Sequence, residues 1–264
     1  MGNDLTPVPA VTTDLPDAVQ SAIGEIALRH KAAGGLLMKL VNAAGGQIEN
    51  RLEMLPEKVK LRIEAAAARA LELTYGVAEQ SHRQRAGSDI LKSDRGHLAL
   101  ATLTGAAGGF GGLATALAEL PVTTAVIFRA IQSIAAGHGF DPADPAVRAE
   151  CLQVFASGSP LQEDDGVNTS FLAARVTVTG PAIQRLIASV SPRFAALLGQ
   201  KLAAQAVPVL GALTGAGINY AFMDYFQEMA HVRFGLMRLG QSHDPVAVAA
   251  AFKTAVTQER IAAR

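Results

Sequence analysis

Two stretches of the chain place a glutamate three residues ahead of a histidine, Glu79-x-x-His82 and Glu228-x-x-His231. On a helix this spacing puts carboxylate and imidazole on one face, the arrangement with which helical bundles hold paired metal ions. A complete site of that kind takes glutamates from two further helices, such as Glu53 and Glu119. Glu79 and His82, however, fall where their helix is expected to fray, and the glycine-rich helices offer no inward acidic pair. Asp224, Glu228 and His231 share a face of the kind that is more often a solvated stripe than a site. The expectation is therefore no metal and no cofactor.

Glu119 is the second chemical candidate. Gly108, Gly112, Thr115 and Glu119 fall along one helical line, so a strip without large side chains ends at a carboxylate between Ala118 and Leu120. Burying that carboxylate without a partner is costly. Arg129 or Asn219 would supply one, giving a structural polar clamp between helices. A hydrolytic enzyme would use Glu119 or Asp141 as its acid or base. No Gly-x-Ser-x-Gly elbow, phosphate loop, zinc spacing or dinucleotide fingerprint accompanies them. The balance leans away from an enzyme, with a metal-dependent or hydrolytic site inside a helical bundle as the alternative.

The elements that would position these residues are helical throughout. The stretch from Leu98 to Asp141 organises the chain: two apolar helices, with a break expected at Glu119-Leu120-Pro121. Glycine inside a helix costs about 1 kcal/mol relative to alanine. Gly105, Gly108, Gly109 and Gly112 therefore need a compensating gain, and their four-residue spacing suggests close approach of another helix backbone. Gly211, Gly215 and Asn219 repeat that spacing a hundred residues on. The runs Leu98–Ala118 and Leu202–Met223 carry no charge. The first is long enough, at about 31 Å as a helix, to cross a bilayer. Both are rich in Ala, Gly and Thr rather than Leu, Ile and Phe, so their drive into lipid is weak. A packed core is the simpler account, and reversible membrane contact the sharper one.

Elsewhere the punctuation is local. Residues 1–15 read as a disordered leader and 16–264 as a single all-α domain. Asp14 or Asp17 opens a helix through Ile23 and His30. Pro56-Glu57 starts the strongest helical pattern, to about Gln80, with Val59, Ile63, Ala66, Ala70 and Leu73 on its buried face. Gly137-His138-Gly139 should end the helix after Pro121, and Asp144-Pro145 and Asp244-Pro245 should each start another. Gly180-Pro181 should interrupt the helical pattern around it, and RVTVTG before Pro181, the one trace of alternation, is read as helical. The fold expected is a compact multi-helix bundle around two glycine-rich apolar helices.

Composition limits the partners. Half of the 264 residues are hydrophobic and 17% are charged, which is apolar for a cytosolic protein yet below a multi-spanning membrane protein. Lys plus Arg equals Asp plus Glu at 23 each, so no global field favours nucleic acid, and without Trp there is no evident stacking platform. Cys151 stands alone in CLQVFA, excluding an intrachain disulfide and fitting a reducing, cytoplasmic setting. No basic run precedes an apolar one near Met1, so no secretory signal is expected.

The residues GAAGGFGGLATALAELPVTTAVIFRAIQSIAAGHGFDP resemble the core motif of the EcsC protein family, named for a gene beside an ABC-transporter operon. The corresponding positions are Glu119-Leu120-Pro121, Arg129, Ile134-Ala135 and Gly139-Phe140-Asp141-Pro142. A second block, VPVLGALTGAGINYAFMDYFQEMAHVRF, is similar at Pro208, Gly211, Gly215, Asn219, Tyr220 and Ala230. The likeness spans roughly residues 45–240. Glu119 stands where the family usually has Asp, and His138 where it commonly has Tyr. The resemblance implies no particular reaction. It points to an accessory or interaction protein at the cytoplasmic, inner face of a membrane, with lipid or a membrane protein as partner.

Overall fold

A computed structural model of the chain describes residues 15–33, 35, 57–81, 112–157, 180–205 and 211–262. Among them are seven helices and no strand: α1 Asp17–Ala33, α2 Glu57–Ser81, α3 Gly112–Gly137, α4 Pro145–Val154, α5 Gly180–Gln205, α6 Gly211–Ser242 and α7 Pro245–Ala262. The protein is all-α, as the periodicity predicts. Gly105, Gly108, Gly109, His82, the pattern RVTVT and all of the leader but Leu15 lie outside the described residues.

Two apolar clusters share one long helix. The larger joins α2, α3, α4, α5 and the middle of α6 through residues such as Ile63, Leu71, Phe128, Leu152, Phe194 and Phe226. The smaller joins α1 and α7 to the last part of α6 through Ile23, Ala27, Leu236, Val248 and Phe252. Helix α6 has 32 residues and so runs for about 48 Å, enough to serve both. Leu15, at the end of the expected leader, is buried in the smaller cluster, and its carbonyl accepts a hydrogen bond from Gln20 Nε2 at 2.8 Å.

Local chemistry explains the boundaries. Helix α3 ends in a Schellman turn: the Gly139 N–H returns to the Ala136 carbonyl (2.9 Å) and the Phe140 N–H to Ala135 (3.0 Å). Gly139 takes φ +88°, where a side chain is strained. The turn continues through Asp141, whose Oδ1 accepts from the Ala143 N–H at 2.9 Å. Helices α4 and α7 open identically, with Asp144 and Asp244 accepting from the N–H two residues on (2.8 and 3.1 Å) and proline as the first helical residue.

Two sequence expectations are corrected, and one contact is added. Helix α3 runs through Pro121 without a break, so the two apolar helices expected there are one from Gly112. Pro121 forfeits a single bond to the Leu117 carbonyl, and apolar residues packed beyond it hold the second half, including Ile127, Phe128 and Ile131. On α2 the buried line is Ile63, Ala67, Ala70, Leu71 and Thr74, whereas Leu73 is 41% exposed. Following a true 3.6 period from Ile63 leads to Leu71 and Thr74, and the drift leaves Leu73 on the solvent side. Gly235, not singled out from the sequence, is the described glycine at a tight helix contact: a Cβ there would meet Ile26 Cδ1 of α1 at 3.1 Å.

Phe155, at the C-terminal cap of α4, is the hub of the larger cluster. Its ring lies 4.8 Å from Phe194, 5.0 Å from Phe226 and 6.3 Å from Phe128. Phe155→Ala should therefore cost about 3–5 kcal/mol. Urea denaturation followed by far-ultraviolet circular dichroism reads this as a lower midpoint with an unchanged slope.

Candidate functional site

The sequence-level candidates lie on several elements, and the side chains of Glu79 and Glu119 are outside the described ones. Glu119 lies in α3 and Glu79 in α2. Arg129 is exposed on α3, whereas Asn219 on α6 is only 1% exposed. Gly112 opens α3, and Gly211 and Gly215 lie in the first turns of α6. Asp141 is exposed in the turn after α3, where its carboxylate holds the backbone. Glu228 and His231 share α6 but face different partners: Glu228 pairs with Arg29 of α1 at 3.1 Å, and His231 Nδ1 lies 3.2 Å from His138 Nε2. Among the described residues no three His, Cys, Asp or Glu side chains gather as metal ligands would.

What the fold does assemble lies around α4. This ten-residue helix is buried on nearly every side, including Arg148 and Glu150, each 6% exposed. Two residues apart on a helix is about 200°, so the two charges leave in opposite directions. Arg148 places its guanidinium over the Tyr75 ring of α2, 5.2 Å from the centroid, and its Nε makes no hydrogen bond among the described residues. Glu150 meets Arg233 of α6. Both Nε (2.8 Å) and Nη2 of that arginine donate to Glu150 Oε2, and Nη2 also donates to Gln153 Oε1 at 2.7 Å.

Burial pulls the Arg233 guanidinium below its ordinary range, and the charge and hydrogen bonds of Glu150 oppose that pull. Cys151, between the two arginine-bearing faces, is fully buried, and desolvation pushes its thiol well above the ordinary value, so it stays protonated and unreactive.

Beside this ion pair a cleft of about 290 Å³ opens between α4, α5 and α6. Gln153, Ser157, Ser189, Arg193 and Arg233 supply its polar lining. Helix α5 presents its residues there through an irregular stretch. Pro192 leaves the Ala188 carbonyl without its helical donor, and the Ser189 and Ser191 hydroxyls donate back to Leu186 (2.8 Å) and Ile187 (2.7 Å). No motif or spacing in the sequence marks Arg233, Glu150, Gln153 or Arg193. The one available signal was Arg148 and Glu150 inside an otherwise apolar helical pattern, charges that would have to find partners if buried.

A second polar contact joins the end of α3 to α6. His138 and His231 bond ring to ring, which requires that at most one of them be cationic. Arg238, which donates to the His138 carbonyl at 3.1 Å, and Arg29 add positive charge nearby, while Glu228 engages Arg29. Burial first, then the charges of His231, Arg238 and Arg29, hold His138 below the ordinary histidine value of 6.5.

Two expectations follow. Glu150→Ala, which leaves a buried guanidinium unmatched, should cost about 3–5 kcal/mol in urea unfolding, whereas Glu150→Leu combined with Arg233→Met should recover most of that loss. For His138 the unfolded chain binds the proton more readily, so its contribution is complete above pH 6.5 and is lost as pH falls through the lower native value. The urea midpoint should drop between about pH 7 and pH 5, and His138→Gln should make that drop shallower.

No curated protein and no solved structure matches the chain. The family model described as the EcsC protein family matches residues 20–239, which contain α2 to α5, most of α1 and α6, the cleft and both polar contacts. The chain belongs to the EcsC protein family.

Proposed function

We propose that this EcsC-family chain is a non-enzymatic accessory protein, working by binding rather than by transforming a substrate, and associating reversibly with the cytoplasmic face of a membrane. The observation that supports binding over catalysis is the state of the polar groups around the cleft. Arg233 is held by Glu150 and Gln153, the Ser189 hydroxyl donates to its own helix, and the Cys151 thiol is kept protonated by burial. Activating a nucleophile takes a base within hydrogen-bond reach, and the groups here are instead engaged in holding structure.

Membrane association rests on the opposite end of the chemistry. No helix among the described residues is long and apolar enough to cross a membrane. Val122 of α3 and Tyr220 of α6 are 53% and 39% exposed. Val122 follows the uncharged run Leu98–Ala118 by four residues, and Tyr220 lies within the uncharged run Leu202–Met223. Exposed apolar groups at such places give shallow, reversible contact rather than insertion.

Fractionation of cells expressing the full chain tests this reading. A part of the protein should sediment with membranes and be released by carbonate, and Val122→Asp with Tyr220→Asp should shift it to the supernatant. Retention after carbonate, or a supernatant-only distribution of the unaltered chain, contradicts it.

A further inference from the structure

We infer that the cleft between α4, α5 and α6 is a binding site for a phosphate group. The inference is independent of membrane association: phosphate binding holds or fails whether or not the chain visits a bilayer.

The lining is rich in donors. Arg233 Nη2 donates to Gln153 Oε1, which fixes the orientation of that amide and leaves its NH2 as the group Gln153 can offer. Ser157, just past the C-terminal cap of α4, contributes a hydroxyl, and Arg193 a guanidinium. Among the described residues the Arg193 contact is one long bond, Nη1 to the Ala156 carbonyl at 3.5 Å, which leaves other N–H groups of the guanidinium to offer a ligand. Among the described residues no acidic side chain lines the cleft, and Glu150 offsets the charge of Arg233. The local balance is thus the positive charge of Arg193.

Neutral and cationic donors from α4, the turn after it and α5 line one cleft. That matches the acceptors of a tetrahedral phosphate better than those of a planar carboxylate. The volume, about 290 Å³, is near the lower limit of small-molecule sites. It admits a phosphate with a small substituent, whether a free phosphate ester or the exposed headgroup of an anionic lipid. Arg193 is well suited to capture it, being exposed at the rim, while Gln153 is held from behind by a buried ion pair.

Titration calorimetry of the full chain at constant ionic strength, with inorganic phosphate, glycerol 3-phosphate and acetate, tests the site. Saturable binding of the two phosphates is expected, with acetate weaker. Arg193→Gln should weaken it about tenfold or more, the size of one lost charge-assisted bond, without moving the urea midpoint. Ser189→Asp, which places a carboxylate in the cleft from an exposed position, should abolish it. Absence of saturable phosphate binding, equal affinity for acetate, or unaltered binding in both variants would overturn the proposal.

Flotation with phosphatidylcholine vesicles, with and without phosphatidate, distinguishes the source. Phosphatidate-dependent flotation that Arg193→Gln removes and glycerol 3-phosphate competes away assigns the site to a headgroup. Calorimetric binding without such flotation assigns it to a soluble phosphate ester.

Discussion

The buried ion pair between Glu150 and Arg233 is the constraint on which the arrangement of the larger cluster depends. Taking two charges out of water costs several kcal/mol per ion, and the attraction between them offsets this only when geometry is good and other polar atoms are satisfied. Here both conditions are met, because the guanidinium engages one carboxylate oxygen through two of its nitrogens and reaches Gln153 with the second of them. Helix α4 is consequently fixed against α6 in both rotation and height. A slip of one residue would turn Glu150 by about 100°, away from Arg233 and into apolar neighbours. Apolar packing alone tolerates many such slips. The ion pair does not.

Everything around α4 serves to deliver it to that position. Gly139 reverses the chain after α3, Asp141 stabilises the turn, and Asp144-Pro145 restarts a helix within a few residues. The helix is short, and at its other end Phe155 sits among Phe128, Phe194 and Phe226, so that the aromatic hub and the ion pair hold it together. Arg148 is then directed away from α6 toward Tyr75, and the aromatic face offsets part of its desolvation where a second carboxylate would crowd the core.

Much of this was legible in the sequence where the signal is local. The turn at Gly137-His138-Gly139, both Asp-Pro helix starts and the pattern after Pro56 follow from backbone chemistry within four residues. Pro121 misled because its local cost, a lost hydrogen bond and a ring–carbonyl clash, is small beside the apolar burial that follows it at Ile127, Phe128 and Ile131. Helix α6 defeated periodicity for another reason: it packs against α3 and α4 on one side and α1 and α7 on another. With partners on several sides, Glu228 and His231 find different neighbours despite sharing a face, and Arg233 two residues later is nearly enclosed, its side chain 11% exposed. No spacing rule distinguishes these residues, because the difference is made by helices distant in sequence. The candidate site was therefore absent from the sequence reading, although each of its residues was in view.

The position of the cleft beside the ion pair has a thermodynamic consequence. An occupant bound at Arg193 and Gln153 would be one hydrogen bond away from Arg233, and Arg233 fixes α6, the helix shared by both apolar clusters. Anything that binds the folded chain and not the unfolded one stabilises it by RT ln(1 + [L]/Kd), about 2.7 kcal/mol at a hundredfold excess over Kd. Marginal stability in a domain makes that a large fraction of the whole. Ordering Gln153 through an outside ligand would also reinforce the Arg233 contact that α4 depends on, since polarised hydrogen bonds in series strengthen one another at low dielectric. An occupant of this polar cleft, at the surface end of a buried ion pair, would thus couple its binding to the integrity of the bundle.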